Sequence, residues 1–186
     1  MAPISERRQD RHVGSGAAGS SLRQEEAPMT KIKTCLWFDR NAEDAVNTYV
    51  SLLPGSRIES EMRAPGPYPN GQKGDLLLIE FTLGGTAYQA LNGGGAADYG
   101  NAASISVACA DQAEVDRLWA ALTADGGAEI ACGWLRDRWG VPWQIVPEIL
   151  PRLLADPDPE VAARAFAAMQ TMVKLDAAAL ERAARG

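Results

Sequence analysis

From residue 31 onward the chain alternates short apolar runs with amphipathic stretches of helical period, and the same succession occurs twice. Ile32–Asp39 (IKTCLWFD) mixes aromatic and β-branched residues and predicts a strand. Asn41-Ala42-Glu43-Asp44 then reads as a helix start, with Asn41 as cap and acids in the first turn. Apolar positions recur at Ala42, Ala45, Val46, Tyr49, Val50 and Leu53, the stripe of a helix buried on one face, and Pro54-Gly55 stops it. Arg57–Met62 predicts a strand, Ala64–Gly74 a Pro/Gly-rich loop, and Leu76–Leu83 a strand. Gly84-Gly85 predicts a turn that returns the chain along Thr86–Leu91.

The pattern then restarts. Ser104–Cys109 predicts a strand, and Asp111-Gln112-Ala113-Glu114 a capping-box-like helix start. Val115, Leu118, Trp119 and Leu122 share one face of that helix, and Gly126-Gly127 ends it. Further strands are expected at Ala128–Cys132, Trp134–Arg138 and Pro142–Val146. Val46, Tyr49, Val50 and Leu53 match Val115, Leu118, Trp119 and Leu122 at a constant offset of 69. Gly85–Leu91 (GTAYQAL) parallels Gly140–Val146 (GVPWQIV), each reading Gly, two residues, aromatic, Gln, two aliphatics. Two tandem βαβββ modules, at about 31–95 and 101–147, are the simplest account and make the fold class α+β. Neither half has strands enough to bury both faces alone, so the halves are expected to fold as one body.

Beyond Pro147 the pattern is helical, giving a C-terminal extension over residues 148–186. Pro157-Asp158-Pro159-Glu160 starts one helix, whose apolar face runs through Val161, Ala165, Phe166, Met169 and Met172-Val173. Asp176 caps another over Ala177–Ala184. Residues 1–30, rich in Gly, Ser, Arg, Gln and Glu, bury too little apolar surface to offset ordering and read as a disordered tail. The only histidine, His12, lies there.

Composition narrows the function classes. The net charge of −6, with no basic stripe, argues against a nucleic-acid partner. No apolar run reaches the roughly 18 residues a membrane span needs, and no apolar segment follows Arg7-Arg8 as in a signal peptide. Cys35, Cys109 and Cys132 are far apart in apolar stretches, an odd count without C-x-x-C that predicts a reducing cytoplasm, and Cys35 and Cys132 read as small buried hydrophobes. Asp137, between Arg136 and Arg138, reads as a solvated turn charge. Asn92-Gly93-Gly94-Gly95 reads as a turn and not a phosphate cradle, because no helix pattern follows it.

Tandem βαβββ modules are the arrangement of the vicinal-oxygen-chelate (glyoxalase/bleomycin-resistance/dioxygenase) superfamily. The segments CLWFDRNAEDAVNTYVSLLPGSRI, ALNGG, DQAEVDRLW, CGWLRDRWGVPWQIVP and LLADPDPEVAARAFAAM resemble its PhnB-like branch, in order, over about residues 31–184. That branch often bears the label 3-demethylubiquinone-9 3-methyltransferase. The resemblance implies a cupped mixed sheet, a homodimer and, in the superfamily's enzymes, a metal ligand on the first and last strand of each module. Counting back from the helix-initiating acids puts the first-strand positions on Ile32 and Ser104, and the last-strand positions fall on Gln89 and Gln144. None is the usual His or Glu, so no metal and no cofactor is expected.

What the cup retains is a hydrogen-bonding floor of Gln89, Gln144 and Ser104, with aromatic walls expected from Trp134 and Phe38, and from Trp139, Trp143 and Tyr88. The glutamines could equally bond one another as satisfied core amides. Three functions compete. The first is a metal-independent protein binding a small molecule in the cup. The second is an enzyme, either the methyltransferase of the branch's label or a lyase, isomerase or dioxygenase-like catalyst. The third is a structural or regulatory dimer whose cup is filled by its own side chains.

Overall fold

The computed structural model describes residues 31–186; the expected N-terminal tail and His12 lie outside the described residues. The chain runs β1 (Thr34–Phe38), α1 (Ala42–Leu52), β2 (Arg57–Arg63), β3 (Leu76–Leu83) and β4 (Thr86–Asn92). It continues with β5 (Ile105–Cys109), α2 (Gln112–Thr123), β6 (Ala128–Glu129), β7 (Trp134–Arg136) and β8 (Pro142–Pro147). Three helices follow, α3 (Ile149–Leu154), α4 (Pro159–Gln170) and α5 (Ala177–Arg185). The duplicated βαβββ succession is therefore present, as two mixed four-stranded sheets ordered β1-β4-β3-β2 and β5-β8-β7-β6. In each, the first strand lies parallel to the last (β1 on β4, β5 on β8) and the remaining pairs are antiparallel.

Local chemistry explains the helix starts. At α2 the Asp111 carboxylate accepts from Glu114 N–H at 2.8 Å, and the Glu114 carboxylate reaches back to Ala110 N–H at 2.8 Å. At α1 the expected cap, Asn41, makes no side-chain bond. The cap bond comes instead from the end of β4, where buried Asn92 accepts from Ala42 N–H at 3.0 Å and donates to Leu76 O at 3.0 Å. A residue 50 positions away thus ties α1, β3 and β4 together.

The helix-facing sides of both sheets, with α1 and α2, build one apolar core, from Phe38, Tyr49, Ile79 and Phe81 through Leu118, Leu135, Trp143 and Ile145. Asp137 sits inside this core at 3% exposure, which corrects the expectation of a solvated turn charge. Its Oδ2 accepts from Tyr49 Oη at 2.6 Å and Trp143 Nε1 at 2.9 Å; its Oδ1 accepts from the N–H groups of Trp139 (2.9 Å) and Val141 (3.0 Å). Tyr49 belongs to the first module and the other partners to the second, so the carboxylate pins the modules together. Burial raises the Asp137 pKa above its ordinary value, opposed by these four donors, and pushes the Tyr49 phenol well above its own.

β6 stops at Glu129 where the sequence predicts a strand to Cys132. Cys132 and Gly133 take positive φ (55° and 83°), and their N–H groups donate to Met172 O and Val173 O of the C-terminal extension, both at 2.8 Å. Their ladder donors are thus diverted to another segment. The extension forms its own cluster around Leu150, Leu175 and Leu180, which also receives Val146 of β8. Of the apolar face expected on α4, Ala165 is buried and Met169 packs on this cluster, whereas Phe166 stays 47% exposed. Among the described residues no helix is long and apolar enough to cross a membrane.

Candidate functional site

Strand alternation decides which side chains can share a site. On β1, Leu36 and Phe38 point into the core, leaving Cys35 and Trp37 on the opposite, outer face. Phe38, expected as a cup wall, is 2% exposed and packs in the core, so it shares no surface with the glutamines. Cys35 is exposed, contrary to the expected buried thiol; Cys109 is buried and Cys132 half-buried, and all three are free. Gln89 lies directly beside Cys35 in the parallel pair β1–β4 and opposite Glu80 in the antiparallel pair β3–β4, on that same outer face.

The residue facing this position from the start of the chain is Lys33. Ile32, reached by counting from the helix, is 85% exposed and precedes the strand. The register shows why the count slips. Cys35 pairs with Gln89 and Ser106 with Gln144, so two residues earlier in each module stand Lys33 and Ser104. Lys33 Nζ donates to Glu80 Oε1 at 2.6 Å, Gln89 Nε2 donates to the same oxygen at 3.1 Å, and Ser60 Oγ donates to Glu80 Oε2 at 3.2 Å. These donors, Lys33 foremost and then Gln89, hold the Glu80 carboxyl below its usual pKa. Trp37 and Met62, 42% and 48% exposed, flank the cluster.

The second module repeats the arrangement with different chemistry. Gln144 Nε2 donates to Ser104 Oγ at 2.8 Å. Trp134 pairs directly with Gln144 across β7–β8 and is half-buried on the same face. Trp143 points the other way, into the core, where it meets Tyr49 edge-on with ring centroids 5.0 Å apart; Trp139 meets Tyr49 edge-on at 5.5 Å. The glutamines therefore bond to neighbours within their own sheets rather than to one another. Three of the expected residues, Gln144, Ser104 and Trp134, are brought together, and Gln89 stands in a separate cluster on the other sheet.

Between the edge strands β1 and β5 lies a crevice of about 160 Å³, lined by Leu36, Tyr88, Tyr99, Ser104 and Val141 among others. It is smaller than the roughly 300 Å³ at which sites for organic ligands begin. Burial pushes the Tyr99 phenol up to about 12, so it stays protonated, donating to Trp37 O. A polar groove of about 370 Å³ beside the β2–β3 loop is lined by Arg40, Glu43, Arg63 and Tyr68, apart from both glutamines.

The four positions implied by the superfamily's metal sites, read from the register, are thus Lys33, Gln89, Ser104 and Gln144. An ammonium carries three donors and no lone pair, and neutral amides are weak ligands, so this set does not fit a divalent metal. Among the described residues no three His, Cys, Asp or Glu side chains are gathered as a metal cluster. The sequence reading missed Lys33, Glu80 and Ser60. The available signal was Glu80 itself, the one charged residue in the apolar strand LLLIEFTL.

The profile of the family described as 3-demethylubiquinone-9 3-methyltransferase matches residues 30–146. Among solved structures, the chain is similar to the PhnB protein of Bacillus cereus, which is described provisionally as a 3-demethylubiquinone-9 3-methyltransferase. The two are 30% identical with a TM-score of 0.55, over 63% of this chain and 99% of that one. Protein PA1353 of Pseudomonas aeruginosa is 25% identical with a TM-score of 0.50, over 64% of this chain and 98% of that one. No curated protein matches the chain. The family match covers both modules and stops where the C-terminal helices begin, and on it the chain belongs to the PhnB-like family described as 3-demethylubiquinone-9 3-methyltransferase.

Proposed function

We propose that the protein binds a small organic molecule without a metal ion, using the outer faces of its two sheets, and that two copies of the chain assemble to form the site. The observation that carries this reading is the pair of polar clusters at equivalent places in the two modules, Lys33–Glu80–Gln89 and Ser104–Gln144 beside Trp134. Each offers hydrogen-bonding groups next to an aromatic side chain, the composition of a site for a polar or aromatic ligand. Both clusters lie on faces turned away from the common core. The face of the first sheet is open, with Cys35, Trp37 and Met62 exposed. A second copy laid over that face would enclose Gln89 and convert two open surfaces into a cup. Three free thiols are in keeping with a reducing compartment.

The alternative is the methyl transfer that the family's description carries. That reaction needs a cradle for a methyl donor, and the glycine-rich segment after β4 leads to strand β5 rather than to a helix N-terminus. Native mass spectrometry on the protein as purified from cells tests the reading. The expected spectrum is a dimer at the polypeptide mass plus a retained organic ligand, with the ligand lost in Gln144→Leu. A stoichiometric divalent metal, or a strictly monomeric protein, overturns it.

A further inference from the structure

We propose that Arg136 makes this site selective for a flat, conjugated carboxylate; the inference rests on the binding function proposed above and names its ligand class. Arg136 ends β7, two residues after Trp134, so both side chains stand on the face of Gln144. It pairs across the ladder with Pro142, next to the Ser104–Gln144 bond. The residue as a whole is half-buried, and its guanidinium makes one side-chain contact, at an exposed position, Arg136 Nη2 donating to Asn101 Oδ1 at 2.7 Å. A guanidinium has five N–H donors, so four remain available.

Among the described residues no carboxylate lies within ion-pair distance of Arg136, whereas Lys33, the cation of the other cluster, is neutralised by Glu80 at 2.6 Å. The other strand residues on the Gln144 face are neutral. The two clusters together thus carry one uncompensated positive charge, on the same sheet face as an indole and an amide. A guanidinium fork matches a carboxylate in two parallel hydrogen bonds, and the Trp134 ring offers a face to a flat conjugated skeleton. The Gln144 amide has given one N–H to Ser104 and keeps the other N–H and its oxygen for the ligand.

Calorimetric titration with 2-naphthoate and its neutral isostere 2-naphthamide, on the full chain and on Arg136→Gln and Arg136→Lys, tests this. Circular dichroism and the thermal midpoint check that each variant is folded. The expected result is that naphthoate binds at least about tenfold more tightly than naphthamide, a difference of about 1.4 kcal/mol. Arg136→Gln abolishes that preference, and Arg136→Lys restores only part of it, because an ammonium is a point charge without the fork. Equal affinities in the native chain, a preference that survives Arg136→Gln, or binding of neither probe overturns the inference. A neutral molecule retained in the native mass spectrum overturns the anion preference alone and leaves the binding function standing. A bound divalent metal removes the binding function itself.

Discussion

Replacing Asp137 by alanine strips the acceptor from four donors at once: Tyr49 Oη, Trp143 Nε1 and the N–H groups of Trp139 and Val141. The bonds from Tyr49, Trp143 and Val141 are buried, and a buried donor without a partner costs about 1–3 kcal/mol. Two effects reduce the total. The buried charge disappears, and its desolvation is the main cause of the raised Asp137 pKa; water can also enter the space left behind. The expected net loss is about 3–5 kcal/mol, the lower part of the roughly 3–9 kcal/mol that three unpartnered buried donors would cost together. For a chain of this size that is about 10 °C in Tm. Asp137→Asn should cost less, because its oxygen can keep both backbone bonds. Its amide nitrogen, however, faces the Trp143 N–H, donor against donor. Urea unfolding followed by tryptophan fluorescence and by far-UV circular dichroism measures the loss, since Trp139 and Trp143 flank the carboxylate. A change below about 1 kcal/mol for Asp137→Ala, with unaltered urea dependence, would refute the reasoning. Separate transitions by the two probes would refute the single-body fold.

The raised Asp137 pKa has a pH signature of definite sign. Its folded value lies above its unfolded one, so the folded state binds the proton more readily, and the carboxyl's contribution to stability is larger at low pH. The stability of the native chain relative to Asp137→Asn should therefore rise as pH is lowered through the folded-state value toward the unfolded one; a fall over that window contradicts it. Gly133→Ala places a methyl 2.8 Å from Leu175 Cδ1 and 3.0 Å from Ile145 O at a φ of 83°. It should cost about 1–3 kcal/mol and loosen the C-terminal extension, read as faster hydrogen exchange at Cys132 and Gly133; unchanged exchange there counts against it. Lys33→Met removes the foremost donor to Glu80, so a carboxyl-carbon NMR titration should show the Glu80 pKa moving up toward its ordinary value. No movement would assign the depression to Gln89 and Ser60.

Much of the fold was legible because burial writes a period into the chain. The repeat at an offset of 69, the helix stripes, and the stops at Pro54-Gly55 and Gly126-Gly127 all correspond to elements of the structure. What escaped depends on contacts distant in sequence. Asn92 caps α1 from 50 residues away, and no local motif announces that. Asp137 sits between two arginines, as an exposed turn residue would, and only the arrival of Tyr49 and Trp143 makes it a core group. The site was legible in part for the same reason. Gln144, Ser104 and Trp134 share a face that alternation on β7 and β8 supplies. Ile32 was one residue out of phase, because a count from the helix does not fix strand register, and one residue turns a side chain to the other face. Phe38 obeys that rule as well; its phase puts it with Leu36 in the core.

The bond from Tyr49 to Asp137 spans 88 residues and joins the two copies of the duplicated unit. With the acceptor now in one half and a donor in the other, the halves have become complementary parts. A free first module would expose the apolar face it now buries, and a free second module would leave a carboxylate short of a partner. Recombination that exchanges one half for the matching half of a relative should succeed only where both ends of this bond are inherited together. The two halves thus differ in chemistry, Lys33 and Glu80 in one and Trp134 and Arg136 in the other, while this bond joins them.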